Sequence, residues 1–363
     1  RAPVADWSPT MIAVLAGSAT LSIALQALVL VPSLRATGLR YRPVWGLRGS
    51  GLGSASRMAM WAFAAVAVGQ LGYFVNSRVL TSATYEAQHL GVEGAGLTAY
   101  ANAYLLFMLP HGLITVSLVT ALFTRLSHAA HDRDTAAVTA DLRRGMTLPA
   151  VVLIPATAIM VLLAPFVLAA ILPGTPRAAT DASVGVLVTM MLGLVPYGWF
   201  FLVQRAYYAY EDGRTPFGLQ LVVTLVAVSV TLFGSTRPPE DVATWVGIGQ
   251  SVGNLAAALV GFTLLRRALG PLGLRPVLGD LLRLVVAAAL AGVIGWAFAT
   301  TLTMLVGDTL LPGTLVGGGV GIAMLLLTWA VARLLGVTDA WSAVAPVGRV
   351  LGAVGRRLPR RRG

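Results

Sequence analysis

Few side chains in this sequence could do chemistry, and those that could point to binding rather than to bond-making. Arg78 stands inside a long apolar run, in the triplet Asn76-Ser77-Arg78, about a turn short of the end of that run. A guanidinium is a planar fork that matches a phosphate or diphosphate, so an Arg lining a water-filled cavity would make an anion site. The plainer reading is a side chain that snorkels to the membrane interface. Asn102, His111, Gln204 and Asn254 are uncharged polar groups in other apolar runs. Any one of them can be glue between helices, but a polar lumen needs several such groups from different helices.

Catalysis has no comparable support. The sequence carries no P-loop, no HExxH and no G-x-S-x-G with partners, and its 0 Cys exclude a disulfide, a Cys-ligated zinc and a thiol nucleophile. His128 and His131 sit beside an Arg/Asp loop and read as solvated. No Asp or Glu falls in the middle of an apolar run, which argues against a carboxylate relay for protons or sodium. The expectation is a protein that is not an enzyme and that holds no cofactor or metal.

The elements that must position these groups are membrane spans. Apolar residues make up 57% of the 363 positions and charged residues 11%, and the mean hydropathy is +0.80. A helix needs about 20 apolar residues to cross the hydrocarbon core. Such runs recur at 11–33, 58–82, 97–124, 149–172, 182–208, 216–234, 242–265, 279–303 and 311–336. Unpaired backbone groups are too costly in hydrocarbon for these runs to be anything but helices. The fold class is therefore all-α integral membrane, a polytopic bundle of about nine transmembrane helices.

Charge tests this count. The connections after the first, third, fifth, seventh and ninth spans hold 22 of the 26 basic residues, all Arg, from Arg35, Arg40 and Arg48 through Arg143, Arg144 and Arg267 to the tail Arg360-Arg361-Arg362. The other connections hold Arg177 and Arg237 amid Glu86, Glu93, Asp181, Glu240, Asp241 and Asp308, and Arg1 precedes the first span. The positive-inside rule makes the Arg-rich side cytoplasmic, with the C-terminus inside and the first residues outside. An external start with no signal segment before it implies an odd number of spans upstream, so the chain is expected to be part of a longer protein. Residues 132–146 read as a short helix lying along the cytoplasmic face or as a solvated loop. Residues 338–363 read as an amphipathic, Arg-rich cytoplasmic tail against anionic headgroups. Nucleic acid is not an expected partner. Gly249 and Gly253, and Gly313, Gly317 and Gly321, are spaced for close helix packing. Pro110 and Pro196 should kink their spans.

The run from Gln204 through Arg205, Ala206, Tyr207, Tyr208, Glu211 and Asp212 to Arg214-Thr215-Pro216 resembles a signature of the MurJ/MviN family of lipid II flippases, where it ends the tenth helix. Leu109-Pro110-His111-Gly112 with Ser117 and Arg125-Leu126-Ser127 is similar to that family's eighth helix, and Asn254 matches an Asn of its twelfth. The resemblance covers the chain from residue 11 onward and places the nine spans as helices 6–14 of a 14-helix flippase of the multidrug/oligosaccharidyl-lipid/polysaccharide superfamily. It implies that 11–33 is the last helix of an N-terminal lobe, 58–265 a C-terminal lobe of six helices, and 279–336 two added helices forming a groove for a lipid tail. It implies a substrate, lipid II, moved across the bacterial cytoplasmic membrane by alternating access. Arg78, Asn76, Asn102, His111, Gln204 and Asn254 are then the candidate substrate-binding residues, with Arg78 expected to face the interior. Membrane lipids and cytoplasmic regulators of cell-wall synthesis are the expected partners. The sequence departs from the pattern at Tyr104-Leu105, where the family often carries a cavity-facing Asp-Arg pair. Other readings are a different glycolipid or drug exporter, or a membrane scaffold; a transporter requires a polar cavity between helices, a scaffold a closed core.

Overall fold

A computed structural model describes residues 8–36, 52–92, 94–172, 175–306 and 310–337. The expected tail over 338–363 lies outside them, as do Glu93 and Asp308. The described chain is helical: α1 (Pro9–Ala36), α2 (Leu52–Leu90), α3 (Leu97–Pro110), a π-helical turn (His111–Val116) leading into α4 (Ser117–His131), α5 (Thr135–Leu162), α6 (Ala164–Ile171), α7 (Arg177–Met191), α8 (Leu194–Ala209), α9 (Arg214–Gly234), α10 (Val242–Leu269), α11 (Arg275–Val306) and α12 (Leu310–Leu334). Among the described residues nine helical runs are long and apolar enough to cross a membrane. They fall where the hydropathy places the nine spans. Contacts divide the chain into Arg1–Gly53, which holds α1, and Ser54–Gly363, which holds the rest of the bundle.

Side-chain registers in the larger unit fix the sense of its helices. Gly69, Gly72 and Asn76 of α2 meet Gln220, Thr224 and Thr231 of α9, so these two helices run parallel. Gly185, Thr189 and Gly193 meet Thr244, Gly247 and Ser251, so α7 and α10 are parallel too. By contrast, Gly249 and Gly253 abut the carbonyls of Ala227 and Val223, which makes α9 and α10 antiparallel. Trp329 Nε1 donates to the Val151 carbonyl at 3.1 Å, and Gly321 faces Ile159, so α12 runs against α5. One missed or surplus span between any of these pairs would reverse its sense. These senses are the ones that spans alternating from α2 onward require.

The chain departs from the sequence reading between α4 and α5. Residues 132–146 do not form a separate surface helix; α5 starts at Thr135 and runs unbroken to Leu162. Arg133, at φ 55°, closes α4 in a left-handed cap, with Asp134 N–H bonded to the Ala129 carbonyl and Arg133 N–H to that of Ala130. Asp134 then caps α5, its carboxylate accepting from Ala137 N–H at 2.9 Å. A connection that ends one helix and starts the next within three residues leaves no length for a surface segment. Pro149 and Pro155 lie inside α5, and the break comes at Leu163, before Pro165 in the first turn of α6. Pro110 does perturb its span, giving the π-helical turn at His111–Val116. Pro196 instead sits in the first turn of α8, just past a break at Leu192–Gly193.

The Arg-rich ends are tied by specific contacts. Asp141, in the second turn of α5, is buried and pairs with Arg125 at 2.8 Å and Arg144 at 3.6 Å. Arg143 Nε donates to the Leu272 carbonyl at 2.8 Å. A buried carboxylate so paired is a structural strut between α4 and α5 rather than a free ion relay.

Candidate functional site

The larger unit holds a half-open cavity of about 890 Å³ between α2, α3, α8, α9 and α10. Its lining repeats at helical spacing on each wall. Ala62, Val66, Gly69, Tyr73 and Asn76 form one stripe of α2, and Tyr197, Phe200, Gln204 and Tyr208 one stripe of α8. Six carboxamides line it (Gln70, Asn76, Gln204, Gln220, Gln250 and Asn254) together with five tyrosines (73, 100, 104, 197 and 208). Arg205 is the one charged residue among the described residues of the lining.

The amides are partly engaged with one another. Thr231 Oγ1 donates to Asn76 Oδ1 at 3.0 Å, a buried bond that pins α2 to α9 at one end of the cavity. Gln220 Nε2 donates to Thr224 Oγ1 at 3.3 Å and Gln250 Nε2 to Asn254 Oδ1 at 3.4 Å. Asn254 Nδ2 is buried without a partner. An unmet donor of this kind costs about 1–3 kcal/mol unless a ligand or water supplies an acceptor. Arg205 lies across the Phe201 ring at 4.7 Å from its centroid and near the Phe123 ring at 5.9 Å. The rings hold the guanidinium in place, and among the described residues no carboxylate pairs with it.

Of the six residues singled out in the sequence, the structure brings Asn76, Gln204 and Asn254 together on the cavity. Asn102 is half-buried and outside the lining, and His111 is buried behind it, its ring 4.4 Å from Tyr197 and 5.4 Å from Phe201. The expectation that Arg78 faces the interior beside Asn76 and Asn102 is corrected. Two residues along a helix is about 200° of rotation, so with Asn76 on the cavity stripe Arg78 points away. Arg78 is exposed and lies over the Phe74 ring at 5.3 Å. Replacing Arg78 with Ala should therefore leave substrate binding within twofold of wild type and lower only membrane yield, measured side by side on purified protein. A tenfold binding loss at normal yield would put Arg78 back in the site.

The residue that sequence reasoning missed is Arg205. Its place near the end of the run 182–208 puts it, by sequence, among the Arg residues at the connection after the fifth span. The signal was nonetheless present: Arg205 follows Gln204 and precedes Tyr208 by three, on the polar stripe of α8. Tyr104 and Leu105, at the positions of the charged pair of the resembled family, also line the cavity. Among the described residues no three His, Asp or Glu side chains converge on a metal site.

Comparison with known proteins fits this geometry. A family model described as lipid II flippase MurJ matches residues 2–315. A probable lipid II flippase MurJ of Borreliella burgdorferi is 25% identical over 145 residues, which is 39% of this chain and 29% of that protein. A solved structure described as lipid II flippase MurJ in an inward closed conformation aligns with a TM-score of 0.56 at 18% identity, covering 75% of this chain and 52% of that one. The chain thus matches about half the length of the solved relative and under a third of the curated one.

Proposed function

The chain belongs to the lipid II flippase MurJ family, and from that premise we propose that it forms the cavity-bearing part of a flippase for a lipid-linked peptidoglycan precursor. The single observation that carries this reading is the polar cavity between α2, α3, α8, α9 and α10. A membrane scaffold has no use for six carboxamides and an arginine around an open volume, since such groups are costly to hold away from water. A carrier needs them, because they replace the hydration of a polar headgroup as it passes through the bilayer.

In this reading Arg205 takes the diphosphate, while Asn76, Gln204 and Asn254 bind the remainder of the head. Residues 58–265 act as the C-terminal lobe. The exposed apolar side chains of α11, among them Leu282, Leu290, Val293 and Phe298, provide with α12 a surface for the polyprenyl tail over 279–336. The Arg-rich helix ends and the C-terminus face the cytoplasm, which places Arg205 toward the leaflet where the precursor is made. Transport is movement without covalent chemistry, by exchange of access between the two sides.

The test uses bacteria whose sole flippase is the full protein containing this chain. Depletion should leave the precursor beyond reach of an enzyme added outside that cleaves it in the outer leaflet, while the total pool rises. Undiminished outer cleavage after depletion would refute the reading.

A further inference from the structure

We propose that the π-helical turn His111–Val116 is a register switch for exchange of access. In the second state the turn is α-helical, α3 has rotated by one residue about α4, and Asn102 stands where Ala101 lines the cavity now. The role in exchange of access rests on the flippase reading; the register change itself does not.

Pro110 sets the turn. It has no N–H to give the Leu106 carbonyl, and the widened π-helical turn follows at once. Gly112 leaves room beside it, since nothing lies within 4 Å of a Cβ added there. Two buried polar atoms of the turn are unmet. Thr115, 0% exposed, has no hydrogen-bond partner for Oγ1, and His111, 4% exposed, has none for Nδ1. Elsewhere in the bundle the hydroxyls of Thr139, Thr147, Thr180 and Thr328 each donate to the carbonyl four residues back. In an α-helical turn Thr115 Oγ1 reaches the His111 carbonyl in the same way. The π-helical register thus gives up a hydrogen bond that the α-helical register regains, while the Pro at its head disfavours regular helix. Opposed preferences of this kind are what a two-state element needs.

A π-helical turn holds one residue more than an α-helical turn. Straightening it turns α3 by about 100° and shifts it about 1.5 Å along its axis. Each residue of α3 then takes the place of the one before it. The half that stays is α4, where Val119 and Leu126 are buried and Arg125 is tied to Asp141 of α5.

The residues of α3 suit both registers. Tyr100-Ala101-Asn102-Ala103-Tyr104 reads alike from either end. Tyr100, Ala103 and Phe107 are buried now, while the exposed Ala101, Tyr104 and Leu105 line the cavity. One residue on, Ala101, Tyr104 and Met108 take the buried places. That is again one Ala, one Tyr and one large apolar side chain, with the Tyr one turn nearer α4, and Met adapts readily to the place of Phe107. The cavity wall exchanges Ala101, Tyr104 and Leu105 for Asn102, Leu105 and Leu106. Asn102, half-buried and outside the lining now, thereby gains a place on it.

The test uses the purified full protein in nanodiscs, cleared of any other Cys, with Ala101→Cys or Asn102→Cys labelled by a water-soluble thiol reagent. Both positions should label. Pro110→Ala favours the α-helical turn, so it should raise the rate at 102 and lower that at 101, each about threefold or more. Thr115→Val, which removes the regained hydrogen bond, should do the reverse. Deleting Leu113, 69% exposed in the turn, takes out the extra residue and holds α3 as it stands. The deletion should cut labelling at 102 at least about tenfold and leave 101 reactive. It should also stop precursor translocation in cells, read by outer cleavage as above. Should the deletion fail to fold, the opposed effects of Pro110→Ala and Thr115→Val decide. Equal rates at 102 in every background overturn the register switch and leave the flippase reading intact. Wild-type translocation by a folded Leu113 deletion overturns the role of the turn in exchange of access. Failure of the wild-type protein to translocate the precursor refutes the flippase reading, and that role with it, whatever the labelling.

Discussion

Replacing Arg205 with Gln is expected to slow precursor translocation roughly ten- to hundredfold without unfolding the protein. A hydrogen bond to a charged group is worth about 1.5–3 kcal/mol, and each 1.4 kcal/mol is a factor of about ten in affinity. Among the described residues no second cation in the lining can take over, because the remaining lining side chains are amides, phenols, a threonine and apolar groups. Arg205→Lys should recover only part of the loss. An ammonium keeps the charge but lacks the bidentate fork, and it gives up the guanidinium's place over the Phe201 ring. The measurement is outer-leaflet exposure of the precursor at matched expression, with thermal melting in detergent as the check on folding. Full activity for Arg205→Gln would remove the anion contact from the account.

The second large effect is structural. Gly253→Ala and Gly249→Ala should each destabilise the bundle, and the double substitution should abolish most of the folded yield. A Cβ at Gly253 would stand 2.7 Å from the Val223 carbonyl oxygen, and one at Gly249 the same distance from that of Ala227. Both obstacles are backbone, so neither can be relieved by rotating a side chain; α9 must move off α10. Overpacking of this kind costs about 1–3 kcal/mol per site, a large share of a typical folding free energy of about 5–15 kcal/mol. Gly218→Ala on α9 is the control, since nothing lies within 4 Å of the added carbon. It should be neutral or slightly stabilising by fluorescence-detected size exclusion after heating. Equal melting of the Gly253 and Gly218 variants would contradict the proposed close contact.

These two cases show what can and cannot be read from the amino-acid order. The spans were legible because burial in lipid demands long apolar runs, and their sense because Arg is concentrated on alternate connections. The α9–α10 contact was legible in outline, since glycines four apart mark one stripe; which helix they met was not. The helix start at Thr135 was hidden, because a left-handed Arg133 followed by an Asp134 cap looks in sequence like a polar loop. The site was half legible. Asn76, Gln204 and Asn254 stood out as amides in apolar surroundings, and they do line the cavity. Arg78 was misplaced because depth in the membrane was weighed and helical phase was not; Arg205 was missed for the complementary reason, its phase being right while its depth looked peripheral. The tyrosines gave no signal at all, since an aromatic in a span is as suited to packing as to a wall.

The central claim is that the precursor's head enters the cavity between α2, α3, α8, α9 and α10. It can be tested by photo-crosslinking in living cells, with benzoylphenylalanine replacing Leu105 of the full protein. Leu105 is 64% exposed and lines the cavity, while Leu225, at 63% exposed, lies on α9 outside the lining and serves as the reference position. Irradiation should give an adduct containing the diphosphate-linked precursor from position 105, reduced by Arg205→Gln, and only bulk phospholipid adducts from position 225. Precursor adducts of equal yield at both positions, or none at position 105, would contradict the account.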